Sequence, residues 1–312
     1  MEFDQVFKDE QIILTEGALV ERLKCEFGLR MDEHVNHAGL VYDARGDVVS
    51  LYRQYVEIAR RHDLSIMLMT PTRRVNFESL GLSAYRDRDV IADSCALLQG
   101  VREDCRDFSK RIFIGGLLGC KGDAYSAAGA LSRPDACAFH AVQVSQFAGR
   151  ALDFLFAGIM PALSEAQGMA QAMAESELPY IISFMVRSDG RLLDGTGIAD
   201  AMRCIDETVV PRPLCYMCNC VHPANLKRAL NSAVNRGSSY LGRFMGIQGN
   251  ASPLGPEELE GCGTLEAGDL DEWVQAMADL RREHGFKIFG GCCGTNDRFM
   301  DKLARTLKQS RP

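Results

Sequence analysis

The stretch FKIFGGCCGTN, residues 286–296, runs from apolar residues into two glycines, two adjacent cysteines and a third glycine. Its first half has the length and composition of a buried β-strand, and its abrupt end marks where that strand leaves a sheet. Runs of the same kind recur at QIILTEG (11–17), LSIMLMT (64–70), RIFIGG (111–116), LDFLFAG (152–158), PYIISFMV (179–186), PLCYMCNC (213–220) and YLGRFMGIQG (240–249). With FKIFGG (286–291) they number eight. Most lack polar alternation, as expected of parallel strands covered on both faces.

Amphipathic segments separate these runs. In VSLYRQYVEIARRH (49–62), Leu51, Tyr55, Ile58 and Ala59 share a stripe that excludes Arg53, Arg60 and Arg61. TGIADAMRCIDE predicts a helix opening on Thr196 as N-cap, with Ile198, Met202 and Ile205 at helical spacing. LDEWVQAMADLRREHG stops on Gly285, directly before the last run. Strands alternating with helices predict an α/β fold, and eight units favour one (β/α)8 TIM barrel over residues 1–312 as a single domain. An open doubly wound sheet is the alternative, because the third, fourth and seventh runs are short or interrupted by glycine. In both folds functional groups collect at the C-terminal ends of the strands. Those ends carry Glu16 and Gly17, Thr70, Gly115 and Gly116, Gly158, Ser183, Asn219 and Cys220, Asn250, and Cys292 and Cys293.

The 312 residues are 46% hydrophobic and 25% charged, the balance of a globular protein with a sizeable core. A net charge of −7 argues against nucleic acid as a partner. No apolar run reaches the ~20 residues that cross a bilayer. The acidic start MEFDQVFKDE lacks the features of a secretory signal, which predicts a cytoplasmic protein. Oligomeric state cannot be read from the chain.

Twelve cysteines are scattered from Cys25 to Cys293 without the density of a disulfide scaffold, so most should be buried small hydrophobes. Cys220 closes the sixth run, and Cys292 and Cys293 close the eighth. If the barrel is closed, these three thiols converge, and three protein ligands with an open fourth position make a catalytic zinc site. Two readings of GGCCG compete: a sharp turn presenting both thiols to one ion, with Gly290, Gly291 and Gly294 supplying freedom, or a tight strand exit with two metal-free buried thiols. LCYMCNCVHP offers Cys215, Cys218 and His222 as rival ligands. Strand alternation puts Cys218 and Cys220 on one face and Cys215 near the other, and Cys215 and Cys218 read as core residues.

FGGCCGTN together with NCVHP resembles the zinc-site motifs of the homocysteine S-methyltransferase family. LTEGAL, MTPTRRVN, ISF with LLDGTG, and QGNAS resemble further family segments in the same order over nearly the whole chain. The resemblance implies a TIM barrel holding Zn2+ through Cys220, Cys292 and Cys293, with the substrate thiol as fourth ligand. It implies substrate contacts from Glu16, Gly17, Ala18, Thr70, Ser183, Asn219 and Asn250. It also implies two small-molecule partners, a thiol acceptor and a methyl donor. The expected reaction moves a methyl group from a sulfonium or ammonium donor to homocysteine, giving methionine. No catalytic side chain is implied beyond the zinc-bound thiolate.

The chain departs from the family pattern in several places. Glu16 replaces the family's shorter Asp and can be read as an amine ligand or as a carboxylate engaged with nearby backbone or an arginine. Gly158 stands where a second amine-binding Glu is common, and the nearby Glu165 reads as part of the following helix. Pro71 replaces Asn, and Leu117 and Cys120 stand where Ser and Pro are frequent. Alternative functions are therefore alkyl transfer to a different thiol or selenol, and a zinc- or thiol-binding barrel without methyl transfer. No cobalamin-binding D-x-H-x-x-G stretch is present, which favours a direct donor (S-methylmethionine, S-adenosylmethionine or betaine) over methylfolate.

Overall fold

A computed structural model describes residues 2–254 and 268–309. The eight apolar runs form eight parallel strands: β1 Ile13–Thr15, β2 Ser65–Met69, β3 Ile112–Gly119, β4 Phe154–Met160, β5 Tyr180–Phe184, β6 Cys215–Val221, β7 Phe244–Gly249 and β8 Ile288–Gly291. They pair in sequence order, and β8 pairs with β1 to close the barrel. Closure removes the sheet edges that an open doubly wound fold would keep.

Side chains of opposite parity separate two cores. Inside the barrel lie Ile13, Met67, Met69, Phe113, Phe154, Phe156, Ile181, Cys215, Met217 and Ile288. Outside, residues such as Leu68, Leu155, Ile182, Tyr216 and Cys218 pack against the helical layer. The glycines that interrupt the third run have a packing cause. A Cβ on Gly115 would lie 2.3 Å from the Phe154 ring, and one on Gly116 would meet Leu152, Leu155 and Phe147 at 2.9–3.0 Å. Gly115→Ala is accordingly expected to destabilise the fold by about 1–3 kcal/mol through overpacking. Urea denaturation is the check.

A feature absent from the sequence reading is the N-terminal helix Phe3–Asp9. Phe3 stacks on Phe154 with ring centroids 4.5 Å apart and contacts Phe113 at 5.3 Å. With Val6 and Phe7 it joins the interior core at the N-terminal ends of the strands. Lys287 Nζ donates to the carbonyls of Phe7 and Lys8 at 3.1 and 3.2 Å, fixing the helix there.

The helix carrying the 49–62 stripe runs Arg45–Arg61, with Leu51, Tyr55, Ile58 and Ala59 buried. The last long connector is helix Leu270–His284, capped by Gly285 at φ 69° in the left-handed region. Thr196 is not the N-cap of the helix Ile198–Thr208; Gly197 occupies that position. Asn235 Oδ1 accepts from the Ala199 N–H at 3.0 Å instead, supplying from another loop what a local hydroxyl would have supplied. Of the scattered cysteines, Cys95, Cys105, Cys120, Cys215 and Cys218 are buried free thiols and Cys25 is exposed. Cys262 lies outside the described residues. No helix among the described residues is long and apolar enough to cross a membrane.

Candidate metal and substrate site

β6 leaves the barrel through an irregularity. Its register with β7 shifts between Asn219 and Val221, and Cys220 has φ 55°. A left-handed conformation is uncommon for a residue with a Cβ. Simple alternation would send Cys220 outward with Cys218; the bulge turns it into the barrel mouth instead. Cys218 stays in the outer core and Cys215 in the inner one.

β8 ends by close packing as well as by turning. A Cβ on Gly290 would lie 1.8 Å from Thr15 Oγ1, and one on Gly291 would lie 2.1 Å from Thr295 Oγ1. These two glycines thus serve backbone approach, and of the three only Gly294, at φ 78°, uses the left-handed freedom expected of the motif. The loop is pinned on several sides. The Cys292 N–H donates to Gly249 O at 2.8 Å, and the Ala251 N–H donates to Cys293 O at 3.0 Å. Thr295 Oγ1 donates to Cys292 O at 2.7 Å, and the Gly294 N–H donates to Glu21 Oε2 at 2.5 Å.

These two exits bring Cys220, Cys292 and Cys293 together, their sulfurs all within 4.8 Å of one another. Cys220 and Cys292 are joined as a disulfide, with Cα atoms 5.3 Å apart. Tetrahedral zinc with thiolates at ~2.3 Å needs sulfurs about 3.8 Å apart, so the reduced triad fits such an ion with small side-chain adjustments. Burial holds the Cys293 thiol above the usual range; the charge of Glu21 adds to this, while Arg73 and a hydrogen bond from Tyr125 oppose it. His222 does not join the triad. It caps the helix Pro223–Leu230, its Nδ1 accepting from the Ala224 N–H at 3.3 Å, and burial lowers its pKa to about 4.

The thiols line a cavity of about 210 Å³ at the barrel mouth. Glu16, Gly17, Ala18 and Asn219 of the expected substrate contacts share its wall, as does Gly158. Thr70, Ser183 and Asn250 do not. Thr70 Oγ1 instead pairs with Thr72 Oγ1 at 2.7 Å and accepts from the Leu117 N–H at 2.9 Å, pinning β2 to β3. Ser183 is fully buried without lining the cavity. Asn250 Oδ1 accepts from the Ser252 N–H, and its carbonyl takes the Trp273 indole N–H at 2.9 Å. Glu165 lies on helix Leu163–Ala174, where it accepts from the backbone of Lys121 and Leu131 and pairs with His140 Nε2 at 3.0 Å. It ties down the segment after β3. A larger crevice of about 420 Å³ lies on the barrel exterior, lined by residues such as Val144, Phe147 and Leu178.

Several wall residues were not singled out in the sequence as site residues: Glu21, His37, Met69, Arg73, Tyr125, Phe156 and Gln248. Gln248 belongs to a buried polar chain across the mouth. Asn219 Nδ2 donates to Gln248 Oε1, Gln248 Nε2 donates to Thr15 Oγ1 at 2.9 Å, and Asn219 Oδ1 accepts from the Ile159 N–H at 3.2 Å. Four strand ends are thereby locked in one arrangement.

Glu16 is 5% exposed, and its Oε2 has no hydrogen-bond partner among the described residues. Burial raises its pKa to about 8, against backbone hydrogen bonds at Glu16 and Met69 that pull it down. The folded state therefore holds this proton more tightly than the unfolded chain. Stability from the group is full below the ordinary carboxyl range, is lost as pH rises, and levels off above about 8. Glu16→Gln should flatten that loss, which is at most about 1.4 kcal/mol per pH unit inside the window. Urea melts of the reduced, metal-free protein at pH 5 and pH 9 would show it. Equal pH dependence in both proteins would exclude Glu16 as the source.

Solved structures of similar fold include three forms of the homocysteine methyltransferase MmuM from Escherichia coli, each 19% identical to this chain. The metallated form has a TM-score of 0.75 over 97% of this chain and 98% of that one. The oxidized form has 0.76 over 96% and 98%, and the apo form 0.68 over 96% and 97%. No curated protein matches the sequence significantly. The family model described as homocysteine S-methyltransferase matches residues 13–307, which include all eight strands and the three clustered cysteines. The chain belongs to the homocysteine S-methyltransferase family.

Proposed function

We propose that the protein transfers a methyl group from a sulfonium or quaternary ammonium donor to a thiol acceptor at the barrel mouth, homocysteine being the acceptor that family membership favours. The observation that carries this reading is the convergence of three cysteine sulfurs within 4.8 Å, in the wall of a cavity sized for a small molecule. Cys220, Cys292 and Cys293, once reduced, would hold zinc. When bound, that ion would deprotonate the acceptor thiol and keep its sulfur electron-rich at neutral pH.

The chain's own residues do the rest. The hydrogen-bonded backbone around Cys292, Cys293 and Thr295 holds the loop rigid, so the acceptor sulfur is oriented before the donor arrives. The Tyr125 side chain shares the cavity wall with Cys293. Glu16 offers an unpartnered carboxyl oxygen to an ammonium group, giving up its proton as the cation binds. Met69, Leu117 and Phe156 supply an apolar wall that excludes water. In the transfer itself, the acceptor sulfur's electron pair forms the S–CH3 bond as the bond from methyl to the donor's cationic atom breaks. That atom keeps the bonding pair and leaves neutral.

X-ray absorption on reduced, zinc-loaded protein tests the reading. Adding homocysteine is expected to raise the sulfur count around the metal from three to four, with proton release near neutral pH. An unchanged shell at saturating thiol, in a sample that turns over, would exclude acceptor activation by the metal.

A further inference from the structure

Arg73 enters the cavity wall from the segment after β2. Its path is built into the fold, because Gly119 at the end of β3 leaves room that a side chain would fill. A Cβ there would lie 2.6 Å from both Arg73 Cγ and the Arg73 carbonyl oxygen. Three other buried or half-buried arginines are matched by acids: Arg22 by Glu26, Arg102 by Asp153 and Arg243 by Asp206. Arg73 has no such ion pair among the described residues; its electrostatic neighbours are Arg74, Cys120, Tyr125 and Cys293. Of the two acids in the same wall, Glu16 is held toward its neutral form by burial, and Glu21 is engaged by the Gly294 N–H. His37 lines the cavity too, buried, with Nδ1 lacking a partner among the described residues.

A half-buried guanidinium that lines a cavity and makes no ion pair is available to an anion brought by a ligand. Its planar fork matches carboxylate and sulfonate oxygens in bidentate fashion. At the same time Gly158 offers no carboxylate to an ammonium group from its place in the wall. We infer that Arg73 recognises the acidic group of the acceptor, so that this site takes anionic thiols, carboxylates or sulfonates, and selects them by negative charge more than by an amino group. The inference rests on reading the cavity as a thiol acceptor site. A donor carboxylate has the same chemistry, and the experiment separates the two sources.

The test is calorimetry on the reduced, zinc-loaded full chain, comparing 3-mercaptopropionate and 2-mercaptoethanesulfonate with 3-mercapto-1-propanol. The acids are expected to bind roughly 10–100-fold more tightly, equivalent to about 1.4–2.8 kcal/mol. Arg73→Gln should bring the acids to the level of the alcohol and leave the alcohol unchanged; Arg73→Lys, which keeps the charge and loses the fork, should fall between. Equal binding of acids and alcohol by the wild type would overturn the inference, and so would a preference that survives in folded Arg73→Gln. A guanidinium acting by charge alone would leave the acid preference intact in Arg73→Lys, which would overturn direct recognition of the acid by the fork. Should Arg73→Gln not fold, the wild-type comparison and Arg73→Lys decide. In the donor arm, an Arg73→Gln effect on S-methylmethionine but not on trimethylsulfonium, with acid and alcohol thiols alike, would move the anion site to the donor and overturn the acceptor assignment. Acid preference with no methyl transfer from any donor would sustain the inference while defeating the proposed reaction.

Discussion

Cys293→Ala should lose more than about 100-fold in zinc affinity and at least as much in kcat/KM. Loss of an outer partner that merely orients a ligand costs 10–100-fold, and removal of a ligand costs more. The effect should be this large because nothing nearby can substitute. His222 is committed to a helix cap, Cys218 faces the outer core and Cys215 the inner one. Cys220→Ala and Cys292→Ala should behave alike, whereas Cys215→Ala should keep its metal and show only a packing defect. Reduction must precede zinc loading, since Cys220 and Cys292 are bonded to each other. Competition with a chelator, read by elemental analysis, gives the affinities. Full zinc occupancy in Cys293→Ala would remove that residue from the ligand set.

The second large effect is expected at Gly158. An ideal Cβ at this position meets Leu117 Cδ1 at 2.9 Å, and its next neighbours are Phe156 ring carbons at 3.5 and 3.6 Å. The one close atom is the tip of a flexible side chain, so Gly158→Glu can be accommodated by rotation of Leu117. The new carboxylate would enter the cavity wall with Glu16, giving an ammonium group a second charge-assisted hydrogen bond. Homocysteine should gain roughly 10–100-fold over 4-mercaptobutyrate, at 1.4 kcal/mol per factor of ten. Wild type should discriminate weakly between those two thiols. Single-turnover rates for both, in both proteins, decide the matter. Strong wild-type preference for the amine-bearing thiol would show that a residue other than one at 158 completes the clamp.

What could be read from the sequence follows from which signals are local. Eight buried runs reveal eight strands because burial on both faces writes continuous apolar segments. The cysteine triad was also legible, since its members sit at strand ends that topology must bring to one face. The manner of convergence was not. Cys220 reaches the site through a bulge at φ 55°, and alternation alone assigns it to the wrong side of β6. Thr70 fails as a wall residue for the converse reason: it continues the outward parity of Ile66 and Leu68 and spends its hydroxyl on β3. Arg73, Tyr125 and His37 arrive from connecting segments, whose course depends on contacts distant in sequence, such as Gly119 against Arg73. The cap of helix Ile198–Thr208 was misplaced likewise, because its hydrogen-bond acceptor is Asn235, more than thirty residues away.

The N-terminal helix sets the traffic through the molecule. Phe3, Val6 and Phe7 pack on the interior core at the lower end of the barrel, so among the described residues the cavity is a pouch that faces the mouth. In the proposed reaction, acceptor, donor and both products would share that rim, and a departing product would compete for space with the next arrival. Such a pouch makes turnover at high substrate sensitive to the order of entry, and it makes whichever molecule lies deepest the last to leave.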